Sequence, residues 1–392
     1  MRKWKVLALA TAVTTGIALL ASCGGSDSNN SDATKSARAA APLAAKALTV
    51  ASLGSQVQNR SGRLNKTVAA APAAHAAPAS GLNAAVARFQ RGSNASALSA
   101  RTNTAQALTA SPCTTGTATT TGNTTVYENC TYSVGNMMYF EDGTITVASV
   151  DLADSSTFNF DAGTTTKPYV FRESILVNGT MSMPVFEMSA TAKITGTNTG
   201  KTCASEYGTG YANSIMNMNG EFRIKEYSGT AINEDFMLKT SGLSEVVAVA
   251  KFDMAKCDPM DVTVTENGLV ALTDNVNSVN NMSMSATNLV MHAVASTNTA
   301  MQDVLTTSLT GTVEVASSCF TGSLTFATIE PIVQVLDEGE VDECPIAGKL
   351  AFSGSAVGTI KYTVTGGVEI DNGSDGSVDQ SFKSCEDADI CS

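Results

Sequence analysis

Histidine, tryptophan and charge are scarce in this chain of 392 residues, which has two histidines, one tryptophan and 15% charged residues. So few histidines leave little material for imidazole catalysis or for a structural zinc site. The single tryptophan is Trp4, so the rest of the chain has no indole on which a sugar ring could stack. The formal net charge of −12 excludes nonspecific nucleic-acid binding, which needs a basic surface.

Residues 1–22 are predicted to be a signal peptide. Basic residues at positions 2, 3 and 5 precede the mostly apolar residues 6–20, a stretch too short and too interrupted for a membrane span. It ends in Leu20-Ala21-Ser22-Cys23, which resembles the lipobox of bacterial lipoproteins. The resemblance implies that Cys23 becomes the first mature residue and carries a diacylglyceryl thioether, usually with an N-acyl chain such as palmitate. A plain secretory signal with a coincidental cysteine is the alternative.

The lipobox resemblance also implies a location. Several acyl chains, each contributing about 0.8 kcal/mol per buried methylene, would anchor the protein durably to a membrane. Gly24 follows the cysteine where an aspartate would favour inner-membrane retention, so the resemblance implies the outer membrane of a bacterial envelope. The periplasmic and the surface-exposed face remain equally open.

Residues 23–112 are predicted to be a flexible tether. Alanine accounts for 26 of residues 24–112, and aromatic residues are nearly absent. Such a segment buries too little apolar surface to offset its chain entropy. Its charge of +7 contrasts with −22 for residues 113–392. This contrast has two interpretations. The basic tether lies along an anionic membrane surface, or the contrast is compositional drift, which is favoured because the positive charges are spread out.

Residues 113–392 are predicted to form an all-β body. Asx-Gly pairs at residues 142–143, 178–179, 219–220 and 267–268 separate segments of alternating apolar and polar residues. Asn-Gly and Asp-Gly are typical of type I′ hairpin turns, so we predict a hairpin at each pair. Further strands are expected in residues 311–316, 322–328, 348–353 and 358–365. The sequence thus predicts an antiparallel meander that forms a sandwich or a half-open barrel. The overall layout resembles that of many β-rich bacterial lipoproteins.

Eight cysteines remain after Cys23, and an even number in an exported chain indicates disulfides. Eight cysteines allow 105 pairings. Because hairpins bring sequence neighbours together, we predict pairing between consecutive cysteines. The predicted pairs are Cys113–Cys130, Cys203–Cys257, Cys319–Cys344 and Cys385–Cys391.

A weak calcium site is predicted near the C-terminus. The segment from Asp371 to Asp379 resembles the aspartate-rich calcium loops of dockerin-like and thrombospondin-like repeats. The resemblance implies oxygen ligands from Asp371, Asp375 and Asp379 and from the carbonyl of Ser377. Position 3 of the motif is a glycine and position 12 is Phe382, so the implied affinity is low. A solvated turn rich in Asn, Gly, Asp and Ser is the alternative.

Two further features carry weaker predictions. Three Met-x-Met pairs, at residues 181–183, 216–218 and 282–284, each place two thioethers on one strand face. Such pairs suit Cu(I), but filling a β core or lining an adaptable groove is the more ordinary role. His292 is the histidine a hydrolase would have to use, although no GxSxG motif precedes it.

These observations favour a non-catalytic, membrane-anchored lipoprotein whose β body acts in binding or in envelope structure. One alternative is a carrier of a lipid or other hydrophobic ligand in a β half-barrel lined by the methionine-rich strands. A second alternative is a hydrolase built around His292.

Overall fold

The computed structural model describes residues 113–383 apart from 165, 178–180, 206–207, 255–256, 279–280, 298–302, 318–320 and 337–344. The predicted signal peptide, Cys23 and the tether lie outside these residues. The described part contains sixteen strands and no α-helix, which confirms the all-β prediction. No helix in this part could cross a membrane.

The strands range from 3 to 25 residues, and the longest are in the middle of the chain. Three of them contain the strands predicted at residues 311–316, 322–328 and 348–353, whereas the strand predicted at 358–365 ends earlier, at residue 362. The strands are β1 (Thr115–Thr121), β2 (Thr124–Val134), β3 (Met137–Asp151), β4 (Ser155–Ala162), β5 (Tyr169–Val177), β6 (Met181–Ser205), β7 (Gly208–Ser228), β8 (Ala231–Asp253), β9 (Asp258–Asp274), β10 (Met282–Thr297), β11 (Asp303–Ser317), β12 (Thr321–Leu336), β13 (Ala347–Gly354), β14 (Gly358–Tyr362), β15 (Val368–Asn372) and β16 (Gln380–Phe382).

All sixteen strands belong to one antiparallel sheet, and neighbours in the sheet are almost always neighbours in sequence. The exception is between β3 and β6. Both β4 and β5 lie between these two strands, one after the other along their length. β4 pairs with one half of each long strand and β5 with the other half. The predicted antiparallel meander is therefore confirmed, as one continuous sheet.

One face of this sheet is the core, and we call it the inner face. Side chains from β2 to β15 form a single buried cluster, and Phe186, Leu324 and Ile360 are fully covered. The described residues offer no second sheet and no helix to cover them. The sheet must therefore curl so that its inner face packs against itself, because an apolar face of this size is stable only when removed from water.

A line of β-bulges crosses the middle of the sheet, and we call it the bulge line. At each bulge two residues of one strand lie opposite one residue of its neighbour. Such a bulge bends the strand and increases its twist, so the line gives the sheet a row of bends that supports its curl. The bulge line comprises Gly220 on β7, Gly242 on β8, Gly268 on β9, Asn288 on β10 and Gly311 on β11, all with φ between +45° and +130°.

The bulge line corrects the hairpin prediction. The Asx-Gly pairs at residues 142–143, 219–220 and 267–268 lie inside β3, β7 and β9 and are not turns. A type I′ turn needs positive φ at both residues, but here only the glycine has it. The pair at 178–179 falls between β5 and β6, outside the described residues.

The Asx side chains of these three pairs instead cap bulges on neighbouring strands. Asn219 Oδ1 accepts a hydrogen bond from the Gly242 N–H at 2.5 Å, and Asn267 Oδ1 accepts one from the Asn288 N–H at 2.7 Å. Asp142 accepts the Asn129 N–H in the same way at 3.2 Å. Each bulge leaves an N–H outside the regular ladder, and these carboxamide or carboxylate oxygens satisfy it.

Two predicted disulfides are confirmed. Cys113 is bonded to Cys130, and Cys203 to Cys257. The first ties the residues before β1 to β2, and the second joins the end of β6 to the β8–β9 connection. The other two predicted pairs, Cys319–Cys344 and Cys385–Cys391, lie outside the described residues.

Candidate functional site

Two glutamates face each other on the inner face beside the bulge line, and we call them the carboxyl pair. Glu245 on β8 lies directly opposite Glu266 on β9. Along their strands they alternate with the buried Val247 and Val264, so both carboxyls point inward. The Cβ atoms of directly opposite residues in an antiparallel sheet are about 4.5–5.5 Å apart. The two carboxyl groups therefore lie within reach of each other.

A bulge puts Glu245 on this face. Before the bulge, even-numbered residues of β8 such as Leu238 and Thr240 are buried; after it, odd-numbered residues such as Glu245 and Val247 are buried. The extra residue at the bulge shifts the alternation by one position. A regular β8 would have placed Glu245 on the outer face, in water.

The carboxyl pair sits in a row of apolar side chains. Met216 on β7 is directly opposite Glu245, and Leu289 on β10 is directly opposite Glu266. Within the described structure neither carboxyl has a hydrogen bond or a salt bridge to a protein group. Glu245 is 8% exposed, whereas Glu266, Met216 and the nearby Leu243 are only partly covered. The row is thus apolar but not fully closed.

Burial and mutual repulsion change the acidity of the pair. Burial, followed by the charge of Glu266, raises the pKa of Glu245 from 4.5 to about 8. Burial raises the pKa of Glu266 to about 7. Ionised carboxylates are poorly solvated in such surroundings and repel each other. Near neutral pH the pair consequently retains protons that exposed glutamates have lost.

A second inward carboxyl, Glu141 on β3, is in the opposite situation. The hydroxyls of Tyr132 and Tyr169 each donate a hydrogen bond of 2.7 Å to it. Burial, with the neighbouring Glu141 charge, raises the pKa of Tyr169 well above its usual value. The ring of Tyr169 also contacts that of Tyr127, while Tyr139, Phe171 and Phe186 form a separate chain of ring contacts. Glu141 therefore has the partners expected of a structural polar group.

Carboxylates on the outer face are also paired. Glu187 accepts hydrogen bonds from Arg172 at 2.6 Å and from Lys225 at 2.8 Å across three strands. Burial opposes the ionised form of Glu187, but these two hydrogen bonds outweigh it and lower its pKa. Asp235 is held by two hydrogen bonds from Arg223, which lower its pKa. The unpartnered carboxyl pair stands out against these neutralised carboxylates.

His292 lies on the outer face of β10, with its side chain about half exposed. Its Nε2 is 2.8 Å from Asp261 Oδ1, and Thr263 and Ser308 lie opposite it on the flanking strands. Within the described part of the chain no hydrogen bond joins His292 to a serine or cysteine. A hydrolase built around His292 would thus have Asp261 as its carboxylate. The described residues give it no nucleophile hydrogen-bonded to the imidazole.

The methionine pairs do not gather in one place. Met216 and Met218 lie on the inner face of β7, whereas Met284 lies on β10, three strands further on in the sheet. Met183 lies near the start of β6. The residue of β6 opposite Met216 is Gly196, thirteen residues further along, so Met183 is far from Met216. The side chains of Met181 and Met282 are outside the described set. Met216, Met218 and Met284 belong to the core or pack against it, and Met216 also lies opposite Glu245 of the carboxyl pair.

The predicted calcium ligands lie at the end of β15, which contains Asp371, and in the β15–β16 connection, which contains Asp375, Ser377 and Asp379. Asp371 accepts the N–H groups of Asp375 and Gly376, and Asp379 accepts the N–H of Asn372. Asp375 accepts both the N–H and the hydroxyl of Ser377. Among the residues that the structure describes, no three Asp, Glu, His or Cys side chains are grouped so that they could hold a metal. The carboxylates of the loop are thus engaged with its own backbone N–H groups. Calcium binding stays a prediction.

Comparison with protein-family models, with curated proteins and with solved structures gave no match. The functional interpretation therefore depends on the residues of this chain.

Sequence reasoning missed the carboxyl pair because the body contains many acidic residues. One signal was present: Glu266 continues the alternation of Val262 and Val264, which marks an inward position. Its partner carried no such signal, because Glu245 faces inward only as a result of the bulge at Gly242 and Leu243.

Proposed function

We propose that this chain is a lipoprotein of the bacterial cell envelope, anchored to the outer membrane through Cys23, whose β body acts by binding. The lipobox at residues 20–23 and the basic, then apolar, residues before it support the anchor. The two disulfides of the body support export, because such bonds persist in oxidising compartments.

The observation that carries the binding role is the incomplete cover of the inner face. Met216, Leu243 and Met284 are only partly buried although they belong to the apolar cluster. Ligand sites typically combine an apolar lining with a few polar groups that fix orientation. The row around the carboxyl pair has this composition, which favours a carrier of a hydrophobic ligand as the specific form of the function.

Metabolic labelling with a clickable palmitate tests the anchor. We expect the wild-type chain to be labelled and recovered with the outer membrane, and Cys23→Ala to be unlabelled. The reason is that the thioether at Cys23 is the attachment point for the acyl chains. Cys113→Ala is the matched control and should remain labelled. An unlabelled wild type would contradict the anchor.

Binding of the fluorescent apolar probe N-phenyl-1-naphthylamine tests the carrier role. Met216→Gln should weaken binding by about tenfold, because a polar amide would replace a thioether of similar size in the apolar row. The matched control is Ile215→Gln. Ile215 is next to Met216 on β7, but it lies on the outer face and is 42% exposed. This variant should therefore bind the probe as tightly as the wild type. Absence of probe binding by the wild type, or equal effects of the two substitutions, would contradict the carrier role.

A further inference from the structure

We propose that the carboxyl pair Glu245–Glu266 is a pH-sensitive switch, which holds β8 and β9 closed while it carries a proton and loosens them when both carboxyls ionise. This inference does not depend on the anchor or on the carrier role. It rests on the position of the two side chains in the sheet and on what surrounds them.

The pairing of β8 with β9 places the two carboxyls side by side. They are directly opposite across the β8–β9 pairing and point to the same inner face. Like charges at such positions destabilise a sheet. A proton on one carboxyl removes the repulsion and lets it donate a hydrogen bond to the other, as two carboxyls sharing a site commonly do.

Among the described residues, the surroundings of the pair supply no other neutralising group. Met216 faces it from β7 and Leu289 from β10, while Leu243, Val247 and Val264 are its inward neighbours along β8 and β9. Within the described structure, Glu266 is the one charged group that acts appreciably on Glu245, and no further charge acts appreciably on Glu266. In these surroundings the pair is therefore neutralised by binding a proton.

The direction of the pH dependence follows from linkage. In the unfolded chain both glutamates lose their protons near pH 4.5, whereas the folded chain keeps them until about pH 7 to 8. Between these limits the folded state binds more protons, so its stability falls as the pH rises. The paired carboxylates Glu187 and Asp235 have lowered pKa values and act in the opposite sense, since their contribution is lost as the pH falls through the acid range.

Thermal melting of the full-length chain between pH 5.5 and pH 9 tests the switch. The wild-type Tm should fall from pH 6 to pH 9. Glu245→Gln and Glu266→Gln keep the shape of a protonated glutamate, so each should flatten this fall. At pH 9 the unfolding equilibrium constant of each variant should be at least tenfold lower than that of the wild type, since one pKa unit corresponds to a factor of ten.

Glu314→Gln is the matched control. Glu314 is exposed on β11, and its substitution should leave the wild-type slope unchanged. Burial also raises the pKa of Glu234. Because Glu234 is present in the wild type and in every variant, its effect on the slope cancels in the comparison. Equal slopes in the wild type and in both pair variants would overturn the proposal.

Hydrogen exchange of the wild type gives a second readout that needs no variant to fold. After correction for the intrinsic rate, protection of the amides paired between β8 and β9 should decrease above pH 8, while protection between β14 and β15 should persist. Unchanged β8–β9 protection across this range would overturn the switch.

Discussion

Gly268→Ala is expected to destabilise the body by more than about 3 kcal/mol. Gly268 has φ +110°, a region that alanine rarely adopts. A Cβ on Gly268 would also lie 2.3 Å from the carbonyl oxygen of Gly242 and 2.5 Å from the Cα of Leu243. These are backbone atoms of the neighbouring strand, so the strain can be relieved only by separating β8 from β9 at the bulge line. Chemical denaturation followed by circular dichroism measures the loss.

Gly373→Ala separates the two causes of this loss. Gly373 has φ +92°, but no described atom beyond its adjacent residues lies within 4 Å of where a Cβ would be. It should therefore cost only the backbone strain, about 1 kcal/mol. Similar losses for the two variants would show that the close approach of the strands at Gly268 is unimportant.

Removal of the Cys203–Cys257 disulfide is expected to have the second large effect. The two cysteines are 54 residues apart in sequence, and closing a loop of this length in the unfolded chain corresponds to about 4 kcal/mol. Both sulfurs also pack under Gly210, where any Cβ would lie within 3 Å of each. The double variant Cys203→Ala/Cys257→Ala should lose this stability in equilibrium denaturation.

The other described disulfide calibrates that result. Cys113 and Cys130 are 17 residues apart, so Cys113→Ala/Cys130→Ala should lose about 3 kcal/mol. A variant with all four of these cysteines replaced by alanine should lose the sum of the two stabilities, because the two loops do not overlap in sequence. A smaller loss for the 203–257 variant than for the 113–130 variant would contradict the role assigned to the longer loop.

Much of the body was predictable because the relevant signals are local. Alternation of apolar and polar residues, as at Val262 and Val264, identifies a strand and its buried face without reference to any partner. The confirmed disulfides join consecutive cysteines, as expected of a meander in which neighbouring strands pair. The predicted calcium ligands, by contrast, were recognised by spacing alone, and the structure shows them engaged with backbone N–H groups.

The Asx-Gly pairs show where local reasoning failed. A type I′ hairpin turn and the bulges of this sheet both use a glycine with positive φ, so Asn219-Gly220 and Asn267-Gly268 suit either. The choice depends on the strand alongside, which supplies the bulged residues Gly242 and Asn288 whose N–H groups the asparagines accept. Such a partner is distant in sequence and gives no local signal.

The sequence by itself determined that this is an all-β body with inward faces of valine, leucine and isoleucine, linked by neighbouring cysteines. Only the tertiary structure decided the register, and with it the meeting of Glu245 and Glu266. The physical reason is that a strand alternates with a period of two residues. One extra residue at a bulge therefore reverses which side chains are buried, and the effect becomes visible only when two strands are paired.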